Sequence, residues 1–213
     1  MLYNKDTYKT TLKNAFLKHY EEGSDEWSHD ESLSLTIQRS IRIFNKLYSN
    51  ICIDVLDIGC GNGCRIHQID NLQSYIGIDL IKNKEWVKYL ENKCITFVEG
   101  DVFEWSQGSN QKFHLIIDNG CFHHQHPNLH DKYFELVLNK LKVDSLFSLV
   151  VWGEAFIEGN IDGYGRIHSY FSVDNMVKRL EEKGFDVIDV YEFLSSTKRK
   201  QIQFICRACL KLS

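Results

Sequence analysis

The sequence predicts an α/β fold: a mostly parallel seven-stranded sheet, helices on both faces and a helical cap at the N-terminal end. Three observations predict it. Apolar runs rich in Ile and Val recur along the chain, bounded by glycine or polar clusters, as buried strands are. Stretches with apolar residues at helical spacing separate them, and strands separated by helices pair in parallel. Finally, 213 residues are enough for one sizeable core and short for two.

Taken in order, residues 1–22 read as an amphipathic helix with Tyr8, Leu12, Ala15, Phe16 and His19 near one face. Glu21 to Glu26 is a polar break, with Gly23 placed to cap the helix. A second helix from Glu31 to Tyr48 repeats Leu33, Ile37, Ile41, Phe44 and Tyr48. Residues 1–50 therefore read as a helical cap on a domain spanning 51–213, with Trp27 and His29 in the linker between the two helices. Strands are expected at 52–58, 74–79, 95–99, 113–118, 145–152, 186–193 and 201–209. Helices are expected near 64–72, 84–91, 131–142 and 173–183, the last with Ser172 as N-cap and Gly184 just past its end. Ser195 to Lys200 is short enough to join the last two strands as an antiparallel hairpin.

The stretch that carries most information is Val55-Leu56-Asp57-Ile58-Gly59-Cys60-Gly61-Asn62-Gly63. A buried strand runs into a loop with glycine at every second position, where the backbone can turn sharply and approach a ligand. The segment from Cys64 to Leu72 is expected to open a helix whose first N–H groups face that ligand. A second apolar run ends at Asp79, 20 residues after Gly59, where a carboxylate can accept from both hydroxyls of a ribose. Together these make a nucleoside-binding, Rossmann-like βαβ unit.

Dinucleotide sites favour Gly-x-Gly-x-x-Gly, whereas here the third glycine falls one residue earlier and Cys64 takes its place. Asp-x-Gly-x-Gly-x-Gly resembles the first motif of class I S-adenosylmethionine-dependent methyltransferases. Gly100-Asp101-Val102 and Asp118-Asn119-Gly120 follow the third and fourth strands at suitable distances. The resemblance implies the reversed last strand and assigns the cofactor side position by position. Asp57, Gly59 and Gly61 would hold the methionine part, Asp79 the ribose, and Leu80 the adenine face. Asp101 would accept from the adenine amino group, Val102 would recognise the ring edge, and Asp118 and Asn119 would end beside the sulfonium.

Asp118-Asn119-Gly120-Cys121-Phe122-His123-His124 is similar to the Asp-x-Gly-x-x-His segment of methyltransferases acting on thiopurines and heterocyclic toxins. It implies a small aromatic or heterocyclic methyl acceptor walled by Phe122. His123 and His124 are the catalytic candidates, holding the acceptor or taking a proton near neutral pH, against the plainer reading that they pack or cap a helix. The planar-amine motif Asn/Asp-Pro-Pro-Tyr/Phe is absent, as is a Pro-Cys nucleophile. After the fifth strand, Gly153 to His168 holds four glycines and reads as a mobile lid, with Trp152, Tyr164 and Arg166 as substrate-binding candidates alongside Trp27. A surface loop with incidental aromatics is the alternative. Where many relatives have Leu-Lys-Pro-Gly-Gly, this chain has Leu141-Lys142-Val143-Asp144-Ser145, which changes a turn and no cofactor motif.

Composition limits the alternatives. The chain is 43% hydrophobic and 25% charged, as ordinary globular proteins are, and no long apolar segment suggests a membrane span. A net charge of −4, with Lys and Arg scattered between acids, argues against a large nucleic-acid partner. Seven cysteines, an odd number, with no signal peptide suggest reduced thiols and a cytoplasmic location. Cys206-x-x-Cys209 has zinc-ligand spacing, but three residues apart on a strand the two thiols point to opposite faces, so no metal is expected. The expected cofactor is S-adenosylmethionine, with S-adenosylhomocysteine as its product. A protein or RNA methyltransferase, or a non-catalytic module binding the same cofactor, is the competing reading.

Overall fold

The computed structural model of the protein describes residues 4–49, 51–153 and 157–209. Its centre is a seven-stranded sheet built from β1 (Ile53–Ile58), β2 (Leu72–Asp79), β3 (Ile95–Glu99), β4 (Phe113–Asn119), β5 (Leu141–Trp152), β8 (Phe185–Leu194) and β9 (Lys200–Ala208). The spatial order is β3-β2-β1-β4-β5-β9-β8. All neighbours from β3 to β5 pair in parallel, while β9 runs antiparallel to both β5 and β8. The expected reversal of the last strand is therefore present.

Alternation along the strands explains why both faces are covered. On β1, Val55 packs with Ile37, Ile41 and Phe44 of α2 (Ser32–Tyr48), whereas Leu56 belongs to the opposite cluster. That second cluster takes in Tyr133, Phe134 and Val137 of α4 (His130–Lys140), and Met176 and Leu180 of α5 (Val173–Glu182). Strands buried on both faces need the near-continuous apolar runs seen in the sequence. A short helix, α3 (Val102–Gly108), adds Phe103 and Trp105 to the same side.

Two segments depart from expectation. Residues 64–72 form no helix: a short 3-10 turn covers Ile66–Gln68, and β2 begins at Leu72. α2 already covers this face, so the segment needs only to bury Ile66 and Ile69, and a stretch this short cannot offset helix nucleation. Residues 84–91 likewise give a 3-10 turn, Lys84–Tyr89, with Trp86 buried and stacked on Phe97 at 4.8 Å. Of the segment expected to form a lid, residues 154–156 lie outside the described residues, and most of the rest belongs to a paired hairpin, β6 (Ile157–Ile161) and β7 (Ile167–Tyr170). Asp162 fixes its turn, accepting from the Tyr164 and Arg166 amides at 2.9 Å each and from Arg166 Nε at 2.8 Å.

The order of strand addition reverses between β1 and β4, and in open sheets ligands bind in the crevice beyond that point. The first helix, α1 (Lys5–Glu22), lies across this edge. Its Tyr8 hydroxyl donates to the His124 carbonyl at 2.8 Å and accepts from the Ile167 amide at 2.7 Å. Lys9 pairs with Glu104 and Lys13 with Glu99. Among the described residues no helix is long and apolar enough to cross a membrane, no group of metal ligands assembles, and all seven cysteines are free thiols.

Candidate active site

Beneath α1 lies a cavity of about 430 Å³, walled by the loops after β1, β2, β3, β4 and β5, by α1 and by the turn before β9. One end is backbone. Gly59 adopts φ +73°, and a Cβ there would lie 2.9 Å from the Cys121 Cβ, so only glycine lets the β1 and β4 loops meet. Gly61 is held from two sides: its amide donates to Asp79 Oδ2 at 2.9 Å and its carbonyl accepts from Trp86 Nε1 at 2.8 Å. Asp79 Oδ1 accepts from the Ile81 amide at 3.0 Å. Each Asp79 oxygen thus retains a second lone pair for a ligand hydroxyl. Burial raises the Asp79 carboxyl to about 6, against the opposing pull of those amides.

Leu80, Gly100, Asp101 and Val102 continue the wall. Asp101 caps α3 through one oxygen, Oδ1, which accepts from Phe103 at 2.7 Å and Glu104 at 3.3 Å. Oδ2 faces Lys9 at 3.8 Å and retains room for another donor.

The other end is aromatic. Trp27 meets Phe16 at 5.6 Å, His19 at 5.4 Å and Tyr20 at 5.9 Å, and His19 lies 4.3 Å from Tyr164. Trp152 carries His123 stacked at 4.2 Å, with His124 and His168 edge-on at 5.0 and 4.4 Å. Arg166 pairs with Asp162 and lies 5.3 Å from the Phe16 ring. His124 Nδ1 sits 3.1 Å from the Ile167 carbonyl, which can only accept, so Nδ1 carries the proton and Nε2 is an acceptor. Burial pushes both His123 and His124 well below the usual imidazole value, and both are neutral at physiological pH.

A family model described as a methyltransferase domain matches residues 55–144, from β1 to the start of β5. Over 137 residues the chain is 26% identical to the cyclopropane-fatty-acyl-phospholipid synthase of Escherichia coli strain K12, covering 64% of this chain and 36% of that protein. The chain therefore spans about a third of the length of the curated relatives it matches. Residues 55–144 are thus similar to a methyltransferase domain. Among solved structures, the Burkholderia thailandensis 1,6-didemethyltoxoflavin-N1-methyltransferase, with 1,6-didemethyltoxoflavin and S-adenosylhomocysteine bound, superposes with a TM-score of 0.84 at 22% identity, over 98% of this chain and 92% of that one. The N-methyltransferase NodS of Bradyrhizobium japonicum WM9, with S-adenosylhomocysteine bound, gives 0.59 at 12% identity, over 80% and 85%. S-adenosylmethionine is the cofactor that goes with this domain.

Gly59, Gly61, Asp79, Leu80, Asp101, Val102, Asn119, Trp27, His123, His124, Trp152, Tyr164 and Arg166 all line the same cavity. Three residues singled out in the sequence lie elsewhere. Asp57 sits behind the glycine loop, accepting from the Tyr75 hydroxyl at 2.6 Å. Asp118 is fully buried under its own loop, accepting from the amides of Gly120 (3.0 Å), Cys121 (2.6 Å) and Phe122 (2.9 Å) and from the Tyr133 hydroxyl. It organises the turn and offers the cavity nothing. Phe122 is fully buried against His130 and Phe134 at 4.4 and 4.8 Å, so it belongs to the core. Sequence reasoning missed Trp86 and Arg199. No local signal announces that an indole 25 residues downstream will anchor the glycine loop.

Proposed function

We propose that the chain transfers the methyl group of S-adenosylmethionine to an oxygen, nitrogen or sulfur of a small aromatic or heterocyclic metabolite. The observation that carries this reading is one continuous cavity, with the glycine loop and Asp79 at one end and the Trp27–Trp152 box at the other. The loop backbone at Gly59 and Gly61 suits the amino-acid end of the donor, Asp79 the ribose hydroxyls, and Leu80, Val102 and Asp101 the adenine. Aromatic faces attract a sulfonium cation and exclude water around a flat acceptor. The acceptor's lone pair forms a bond to the methyl carbon while the carbon–sulfur bond breaks, its electron pair returning to sulfur as S-adenosylhomocysteine, and a proton carried by the acceptor atom is released to solvent water. A leaving group this good needs placement above all. His123 and His124, neutral and beside Trp152, hold the acceptor, with His124 Nε2 accepting from an acceptor N–H or O–H. The use of known heterocycle methylation by the Burkholderia thailandensis relative supports the acceptor class.

Calorimetry with S-adenosylmethionine and S-adenosylhomocysteine tests the donor end, followed by methyl transfer across a panel of aromatic heterocycles. Absence of binding by either nucleoside removes the cofactor reading. Binding with no turnover on any acceptor leaves a cofactor-binding module.

A further inference from the structure

Three cationic side chains line the cavity: Lys9, Arg166 and Arg199. Lys9 pairs with Glu104 at 2.6 Å and Arg166 with Asp162 at 2.8 Å. Among the described residues Arg199 has no carboxylate within ion-pair distance. Its guanidinium instead lies 4.2 Å from the centre of the Trp152 ring, the same ring that carries His123. The turn before β9 is built to place it there. Ser195 Oγ accepts from the Arg199 amide at 3.0 Å, and the Lys198 amide donates to the Ser195 carbonyl at 2.8 Å.

The groups around Arg199 do not neutralise it. From the β4 loop come His123 and His124, and from β7 comes His168, all with imidazoles pushed down by burial. From the hairpin come Arg166 and Asp162, already paired to each other. From the linker comes Asp30, whose carboxylate accepts from Ser32 Oγ at 2.6 Å and from the Ser196 amide at 3.3 Å. The aromatic end of the cavity therefore has at its mouth one exposed guanidinium with no carboxylate partner among the described residues. A guanidinium presents a planar fork that matches two oxygens, or an oxygen and a neighbouring ring atom, in one plane.

We propose that the acceptor carries an anionic oxygen, from an ionised lactam or a carboxylate on its ring system, and that Arg199 holds it over Trp152. This rests on the methyltransferase reading given above and names the acceptor class more narrowly. An anionic acceptor is also drawn to the sulfonium, because opposite charges attract more strongly in a dry cavity than in water.

The test is calorimetry of four probes on the protein saturated with S-adenosylhomocysteine, at a pH where the lumazine ring is ionised. Lumazine is paired with its neutral 1,3-dimethyl derivative, and nicotinate with nicotinamide. In the wild type at least one anion binds about tenfold or more tightly than its neutral partner, and which pair shows the preference tells lactam from carboxylate. Arg199→Gln abolishes that preference while leaving the neutral probe and S-adenosylhomocysteine within about twofold, and Arg199→Lys restores part of it. A wild type without the preference, including one that binds none of the four, overturns the proposal, as does a preference that survives Arg199→Gln. Should S-adenosylhomocysteine fail to bind, the donor reading falls by itself. The same four probes titrated on the protein alone then decide the role of Arg199 separately.

Discussion

At the residue scale the donor end turns on Asp79, whose two oxygens are positioned by the Gly61 and Ile81 amides. On the proposed donor geometry, replacing it by alanine removes the two ribose hydrogen bonds assigned to it. S-adenosylmethionine affinity should fall by roughly 3–5 kcal/mol, a factor of hundreds or more by calorimetry. Burial raises the same carboxyl to about 6. In the proposed function its ionised form accepts from the ribose, so affinity should be constant well above that pH and weaken as pH drops through it, by up to about tenfold per unit. A Kd that stays level down to pH 5 would show that the ribose is held otherwise. His124 makes the opposite forecast, because burial keeps it neutral throughout the physiological range. The pH profile of kcat/KM should show no limb belonging to it, and His124→Ala should raise KM for the acceptor about tenfold. Gly59, Gly61 and Asp79 were legible because their signal is local: a spacing and a strand end. Asp118 and Phe122 were not, because an acid at a strand end serves a turn as readily as a ligand, and an aromatic in the same turn can face the core as readily as the cavity.

Elements tell a similar story with different limits. Every strand of the seven-stranded sheet was legible to within a few residues at most ends, since buried strands must be apolar on both faces, but the β6–β7 hairpin was not. The helix expected at 64–72 was not, because whether a connection needs a helix depends on what already covers that face, here α2. α1 makes the clearest forecast at this scale. Tyr8 ties it to the β4 loop and to β7 with two hydrogen bonds, and Tyr8→Phe would leave the buried Ile167 amide without its acceptor. That costs about 1–3 kcal/mol, felt mainly in how firmly α1 docks. Amide exchange along α1 should quicken markedly while strands β1 and β4 keep their protection. Uniform quickening of sheet and helix together would mean that α1 is integral to the global fold.

For the whole molecule, the sheet order creates the site and the core merely supports it. Phe122 belongs to that support, so Phe122→Ala should lower unfolding stability by about 3–5 kcal/mol in chemical denaturation. S-adenosylhomocysteine affinity at low temperature should stay within about twofold, since the side chain does not reach the cavity. The mostly parallel sheet and the N-terminal helical cap were legible from the sequence pattern, whereas the switch point between β1 and β4 and the meeting of α1, the hairpin and the turn before β9 above it were not, because these arise only in three dimensions. Because Asp118 and Tyr133 tie the β4 loop down through buried partners, that wall offers little freedom for neutral drift. A lineage that exchanges one acceptor for another would do so through α1, the hairpin turn and the residues around Arg199, whose surfaces are free to vary without unpicking the sheet.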